Sequence, residues 1–179
     1  MGQRRIFKDG GEMAGVFLDL SRKDEDASVV LYKSGYYNQA VYMLIQSMEK
    51  YIKHMICKKI DISKDFFADK LKDDAHNFDK SIDFLITIIA GDNKIFAESL
   101  KMQFKEQLLQ RQKFSFIYNA IRYPFLNKQY KSYSFIEMNR RDYEKIADIF
   151  GVLKKALRDL EEKNYIKNEM NNDLVIYSD

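Results

Sequence analysis

The chain has 179 residues, enough for one ordinary domain with a sizeable core. Its 30 Lys and Arg stand against 27 Asp and Glu, a formal charge of +3, so net charge alone singles out neither a polyanion nor a membrane as partner. The single cysteine, Cys57, excludes an internal disulfide and a cysteine-based zinc site.

Glycine and proline are scarce, 7 and 1, and no strand-turn-strand spacing recurs, which predicts an all-α protein. The first helix runs from about Glu12 to Ser34, with Met13, Phe17, Leu20, Ala27 and Leu31 at helical spacing. Gly35 suits the left-handed position after its end. The second starts near Asn38 as N-cap and continues to Lys58 or Lys59, with Val41, Leu44, Ile45, Met48, Ile52, Met55 and Ile56 as its apolar stripe. A polar loop from Asp61 to Asp74 follows, with a short helical turn around Phe66 to Leu71. The third helix covers about His76 to Ala90 and stops at Gly91.

A fourth, long helix is expected from about Asn93 to Ile121, ending near Tyr123 because Pro124 lacks an amide donor and disfavours helical geometry before it. After a loop, Asn139 with Asp142 three places on marks the capped start of the fifth. Short connections make neighbours antiparallel, giving an up-and-down bundle of about five helices. Residues 1–163 read as a single helical domain and 164–179 as a frayed polar tail. The basic N-terminus lacks the apolar core of a signal peptide, and the longest apolar run, Phe84 to Ala90, is too short to span a bilayer. A cytoplasmic protein with no membrane partner is therefore expected.

Charge is unevenly spread. Residues 101–141 carry 9 basic and 2 acidic side chains, and this stretch contains "AIRYPFLNKQYKSY", with Arg122, Pro124 and interleaved rings. On the second helix Gln46, Glu49, Lys50 and Lys53 share a polar stripe, either a solvated face with a Glu49/Lys53 pair or the wall of a groove. His54 and His76 stand far apart with no ligand spacing around them, so neither metal nor cofactor is expected. Cys57 lies among Met55, Ile56, Lys58 and Lys59 and reads as a plain helical thiol. No GxGxxG or GxxxxGK[ST] loop occurs.

The stretch "LYKSGYYNQAVYMLIQSMEKYIKHMI", Leu31 to Ile56, resembles the signature of HEPN domains (higher eukaryotes and prokaryotes nucleotide-binding) at Gly35, Tyr37, Ala40, Val41, Gln46, Glu49 and Lys50. "DDAHNFDKSIDFL" places His76 where that family often has a histidine, and "AIRYPF" resembles the end of its later long helix. The resemblance covers about Glu12 to Leu160. It implies a bundle of about five helices, frequently a homodimer, found in antiviral defence, in RNA processing and in toxin/antitoxin pairs with a small nucleotidyltransferase. It also implies, in many members, a metal-independent ribonuclease whose Arg-x(4 to 6)-His motif pairs a phosphate-steadying arginine with a proton-transferring histidine.

This sequence departs from that motif. After Arg122 the permitted histidine positions hold Asn127, Lys128 and Gln129, and no arginine stands at the required distance before His54 or His76. Amides do not titrate near neutrality and an ordinary lysine stays protonated. The expectation is a HEPN-like module that binds nucleotide or RNA without a catalytic residue. Arg122 would contact phosphate and Tyr123 stack, with Gln46, Glu49 and Lys50 as the opposite wall and His76 as a further ligand contact. The alternatives are a structural partner of a nucleotidyltransferase and a diverged ribonuclease.

Overall fold

The computed structural model of the chain describes residues 10–60 and 77–176, with side chains at 10–60, 77–126 and 128–162. The helices of the described residues are α1 (Gly10–Lys33), α2 (Tyr37–Cys57), α3 (Phe78–Ala90), α4 (Lys94–Lys101), α5 (Phe114–Ala120) and α6 (Arg140–Ile176); a π-helical segment, Met102–Leu108, extends α4. The fold is an all-α bundle. His76 and the expected helical turn at 66–71 lie outside the described residues.

The closest pairing is the antiparallel hairpin of α1 and α2. Its turn is closed by Gly35 at φ 79°, with the Gly35 amide donating to Tyr32 O and the Tyr36 amide to Leu31 O, both at 3.0 Å. That pair of bonds is the left-handed helix ending a glycine permits without a Cβ penalty. The seam itself is made of small and polar residues rather than of the apolar stripe expected on the first helix. Ala14, Ser21 and Ser28 are the buried residues of α1, spaced by seven. They run against Ala40, Ser47 and His54, spaced likewise on α2. Ser21 Oγ donates to Ser47 O and Ser47 Oγ to Ser21 O, each at 2.8 Å, and His54 Nδ1 lies 2.8 Å from Ala14 O. Side chains this short let the backbones approach until hydroxyls reach carbonyls across the interface. Leu20, on the expected stripe, is exposed instead.

The other face of α2 enters the main core. Val41, Leu44, Ile45, Met48, Ile52 and Ile56 are all essentially inaccessible, as the stripe predicts, and pack with Phe78, Ile82 and Leu85 of α3 and with Phe150, Leu153 and Leu157 of α6. Phe114 of α5 meets Phe78 edge-on at 5.2 Å. The start of α6 is capped as expected: Asn139 Oδ1 accepts from the Arg141 and Asp142 amides at 2.8 and 3.3 Å, and Asp142 Oδ2 accepts from the Asn139 amide at 2.9 Å. Its backbone stays helical through Ile176, where the sequence reads as a frayed tail.

Three expectations are corrected. The long fourth helix is broken: after the π-helical segment, Gln110 and Arg111 both take positive φ (50° and 59°) before α5 begins. The tightly packed Phe104, Leu109 and Phe114 must all face the core, and one straight helix cannot present that spacing inward. Residues after Pro124 form not a plain loop but a two-stranded hairpin, β1 (Phe125–Asn127) and β2 (Ser132–Ser134), in the register Phe125↔Ser134, Leu126↔Tyr133 and Asn127↔Ser132. Asn38 is not the N-cap of α2. Tyr36 holds that position without a side-chain bond, and the Asn38 amide reaches elsewhere, with Nδ2 donating to Ile136 O (3.0 Å) and Ile121 O (3.4 Å) and Oδ1 accepting from the Met138 amide (2.7 Å).

Candidate functional site

Asn38 ties down both roots of the β-hairpin, the segment leaving α5 and the segment entering α6. Between these roots and α2 lies a cleft of about 380 Å³ lined by Asn38, Gln39, Tyr42, Ile121, Arg122, Tyr123 and Phe135. That volume falls within the roughly 300–1,000 Å³ of small-molecule sites.

Arg122 is its central group. Its guanidinium carbon lies 5.2 Å from the ring centroid of Tyr42, 4.9 Å from that of Tyr118 and 4.8 Å from that of Tyr123. Nη2 donates to the Tyr123 hydroxyl at 2.9 Å. Each such contact contributes about 0.5–1 kcal/mol at an exposed site. Together they surround the guanidinium with rings, and of its five N–H donors one goes to Tyr123, which leaves others for an acceptor in the cleft. Among the described residues no carboxylate pairs with Arg122, whereas Arg22, Arg111 and Arg140 each have one within 4.0 Å.

The rings beneath are ordered in turn. Tyr42 and Tyr118 stack at 5.0 Å and 22°, and the buried Tyr118 hydroxyl donates to that of Tyr42 at 3.3 Å. Burial, then the bond to Tyr42, raises the Tyr118 phenol well above its ordinary value, with Glu49 adding in the same direction and Arg122 opposing it. Tyr118 therefore stays neutral and keeps its donor proton.

The α2 stripe does not line the cleft, and of it Glu49 bears on this cluster through its charge on Tyr118. Glu49 and Lys53 form the expected i,i+4 pair at 2.7 Å, but in the interior and not on a solvated face, with side chains only 6% and 10% exposed. Gln46 is buried too, and its Nε2 finds no hydrogen-bond partner among the described residues. Lys50 turns toward α1, where Asp24 holds it in an ion pair. Of the expected contacts, then, the structure brings Arg122 and Tyr123 together at the cleft, sets Gln46 and Glu49 in the protein interior on the stripe that begins with Tyr42, and directs Lys50 to another helix. Asn127, Lys128 and Gln129 fall at the end of β1 and in the hairpin turn.

Gln39, Tyr42 and Phe135 complete the cleft and were not singled out by the sequence. Tyr42 was readable in principle, four residues before Gln46 on one helical stripe. Gln39 and Phe135 carry no local signal, since only the fold brings the first turn of α2 against the exit of the hairpin.

A second cleft of about 290 Å³ at the break between the π-helical segment and α5 is lined in part by Lys105, Arg111 and Lys113. Two of those cations are neutralised, Lys105 by Asp83 at 2.6 Å and Arg111 by Glu106 at 2.8 Å. Among the described residues no three His, Cys, Asp or Glu side chains group to hold a metal ion. No described helix is long and apolar enough to cross a membrane. No family model matches the chain, and no curated protein or solved structure matches it either.

Proposed function

We propose that this protein is a HEPN-like binding module whose cleft takes a nucleotide or the end of an RNA. The observation that carries this reading is Arg122: an exposed guanidinium, unpaired with any carboxylate among the described residues, set among three tyrosine rings in the lining of a cleft. Its free edge suits a phosphate. Tyr123, 58% exposed, offers a face on which a base can stack, and Gln39 offers an amide to a base edge. Glu49 acts from behind the rings through its charge on Tyr118, and Gln46 stays in the interior. His76 keeps the ligand contact the resemblance implies.

The same reading carries a homodimer in a cytoplasmic setting and, by resemblance, a nucleotidyltransferase partner. It carries no ribonuclease chemistry, because no histidine stands at the permitted positions after Arg122, which hold Asn127, Lys128 and Gln129.

Thermal unfolding against a panel of nucleoside mono-, di- and triphosphates and a short RNA tests it. A ligand at about 100 times its Kd adds roughly 2.7 kcal/mol of stability, a shift of several degrees, and Arg122→Ala abolishes the shift. Unchanged melting across the panel leaves the chain as a structural interaction partner. Cleavage of labelled RNA in chelator, lost in Arg122→Ala, would make it a diverged ribonuclease instead.

A further inference from the structure

The β-hairpin beside the cleft has no packing role that accounts for its surface. Leu126 and Tyr133 face each other across the ladder and are 51% and 76% exposed, and Tyr130 in the turn is 69% exposed. Apolar surface left in water gains nothing from burial; here Leu126 and Tyr133 on one small element are left so. On its inner side the hairpin is anchored, with Phe125 edge-on to Phe116 at 5.6 Å.

The charge around these rings is of one sign. Between Glu106 and Glu137 the chain has no acidic side chain. Lys113, Lys128 and Lys131 are exposed and make no ion pair among the described residues. Lys128 and Lys131 flank Tyr130, and Lys131 takes φ 48° to close the turn, so rings and ammonium groups alternate along the hairpin.

We propose that the hairpin continues the cleft as a track for single-stranded nucleic acid several nucleotides long. This rests on the reading of the cleft as a nucleotide site and adds its substrate class: an oligonucleotide rather than a free nucleotide. A phosphate sits on Arg122, the first base against Tyr123, later bases on Tyr133 and Tyr130, and later phosphates on Lys131 and Lys128. Stacking on rings with lysines along the backbone is the means by which proteins hold single strands without reading sequence. At about 3.3 Å per strand residue, the segment from Pro124 to Lys128 extends the surface by more than ten ångströms beyond the cleft, more than one nucleotide fills. A protein partner would also cover exposed rings, but the lack of any carboxylate over the whole segment favours a polyanion.

Fluorescence anisotropy with labelled uridine and deoxythymidine oligomers of about eight nucleotides, alongside competition by uridine monophosphate, tests this. The oligomer is expected to bind at least about tenfold more tightly than the mononucleotide. Tyr130→Ala/Tyr133→Ala should weaken the oligomer about tenfold and leave the mononucleotide unchanged, while Tyr130→Phe/Tyr133→Phe retains binding. Lys128→Gln/Lys131→Gln should lower the slope of log affinity against log salt by about 1.4. Equal affinity for oligomer and mononucleotide, or an alanine pair without effect, removes the track and leaves the cleft site standing. Binding of neither probe removes the cleft site as well. If polyglutamate binds as tightly as the oligomer with the same sensitivity to the alanine pair, the hairpin is a docking surface for acidic protein and the track is wrong.

Discussion

Arg122 and Tyr42 are eighty positions apart, and the guanidinium of one lies 5.2 Å from the ring centroid of the other. Tyr42 also stacks on Tyr118, so one ring of α2 orders the arginine and its second neighbour together. Tyr42→Phe keeps the stack and loses only the hydroxyl that accepts from Tyr118; it should cost about 1 kcal/mol and preserve ligand binding. Tyr42→Ala removes the platform. It should cost about 2–3 kcal/mol in urea unfolding and weaken nucleotide binding about tenfold by isothermal titration.

Asn38 joins α2 to both roots of the hairpin through three hydrogen bonds. Asn38→Ala leaves the Ile136 carbonyl and the Met138 amide unsatisfied. The expected loss is about 2–3 kcal/mol, with amide exchange accelerated at Met138. Asn38→Asp keeps an acceptor for Met138 but no donor for Ile136, and should fall between the wild type and the alanine variant.

The break before α5 holds Gln110 and Arg111 at positive φ, a region where side chains other than glycine are strained. Gln110→Gly should raise the urea midpoint by the equivalent of about 1 kcal/mol, and Gln110→Val should lower it. A Gln110→Gly variant less stable than wild type would mean that the side chain offsets the strain with contacts of its own.

This break also shows where sequence legibility ends. Gly35, Gly91 and the Asn139/Asp142 cap announce helix limits because those residues have local conformational preferences, and the structure follows them. Nothing between Met102 and Lys113 is a breaker residue, so an uninterrupted helix was the natural reading; the interruption is imposed by the core around Phe104, Leu109 and Phe114. The hairpin leaves no mark in the sequence because three-residue strands are too short to show alternation. For the site, Arg122 and Tyr123 were legible as neighbours in sequence. Burial of the Glu49/Lys53 pair was not, because i,i+4 spacing is the same on a wet face and a dry one.

The Glu49/Lys53 pair gives a direct energetic test. Lys53→Met alone removes the ammonium group from a carboxylate whose side chain is only 6% exposed, a loss of about 3 kcal/mol. Glu49→Gln/Lys53→Met should recover more than half of it. Additive single effects in a double-mutant cycle would show that the two side chains do not depend on each other.

His54 gives the fold a response to acid. Burial, the largest influence, pulls its imidazole below 6.5, against the hydrogen bond to Ala14 O, which raises it. Below that ordinary value the unfolded chain takes up a proton that the folded chain resists. Stability from this site is therefore complete above about pH 6.5 and is lost as pH falls through the lower folded value. Urea titrations from pH 7.5 to 5 should show the decline, and His54→Gln should flatten it.

The small-residue seam between α1 and α2 has a kinetic consequence. It joins segments separated by a three-residue turn, so its loop-closure cost is low, whereas the Arg122 cluster closes only when distant parts of the chain meet. The hairpin of α1 and α2 is then expected in the folding transition state, and the aromatic cluster only after it. Ser47→Ala should mainly slow folding and Tyr118→Ala mainly speed unfolding in stopped-flow chevrons; the reverse partition would rule this order out. On this order, the Arg122 cleft assembles after the α1/α2 hairpin and comes apart before it.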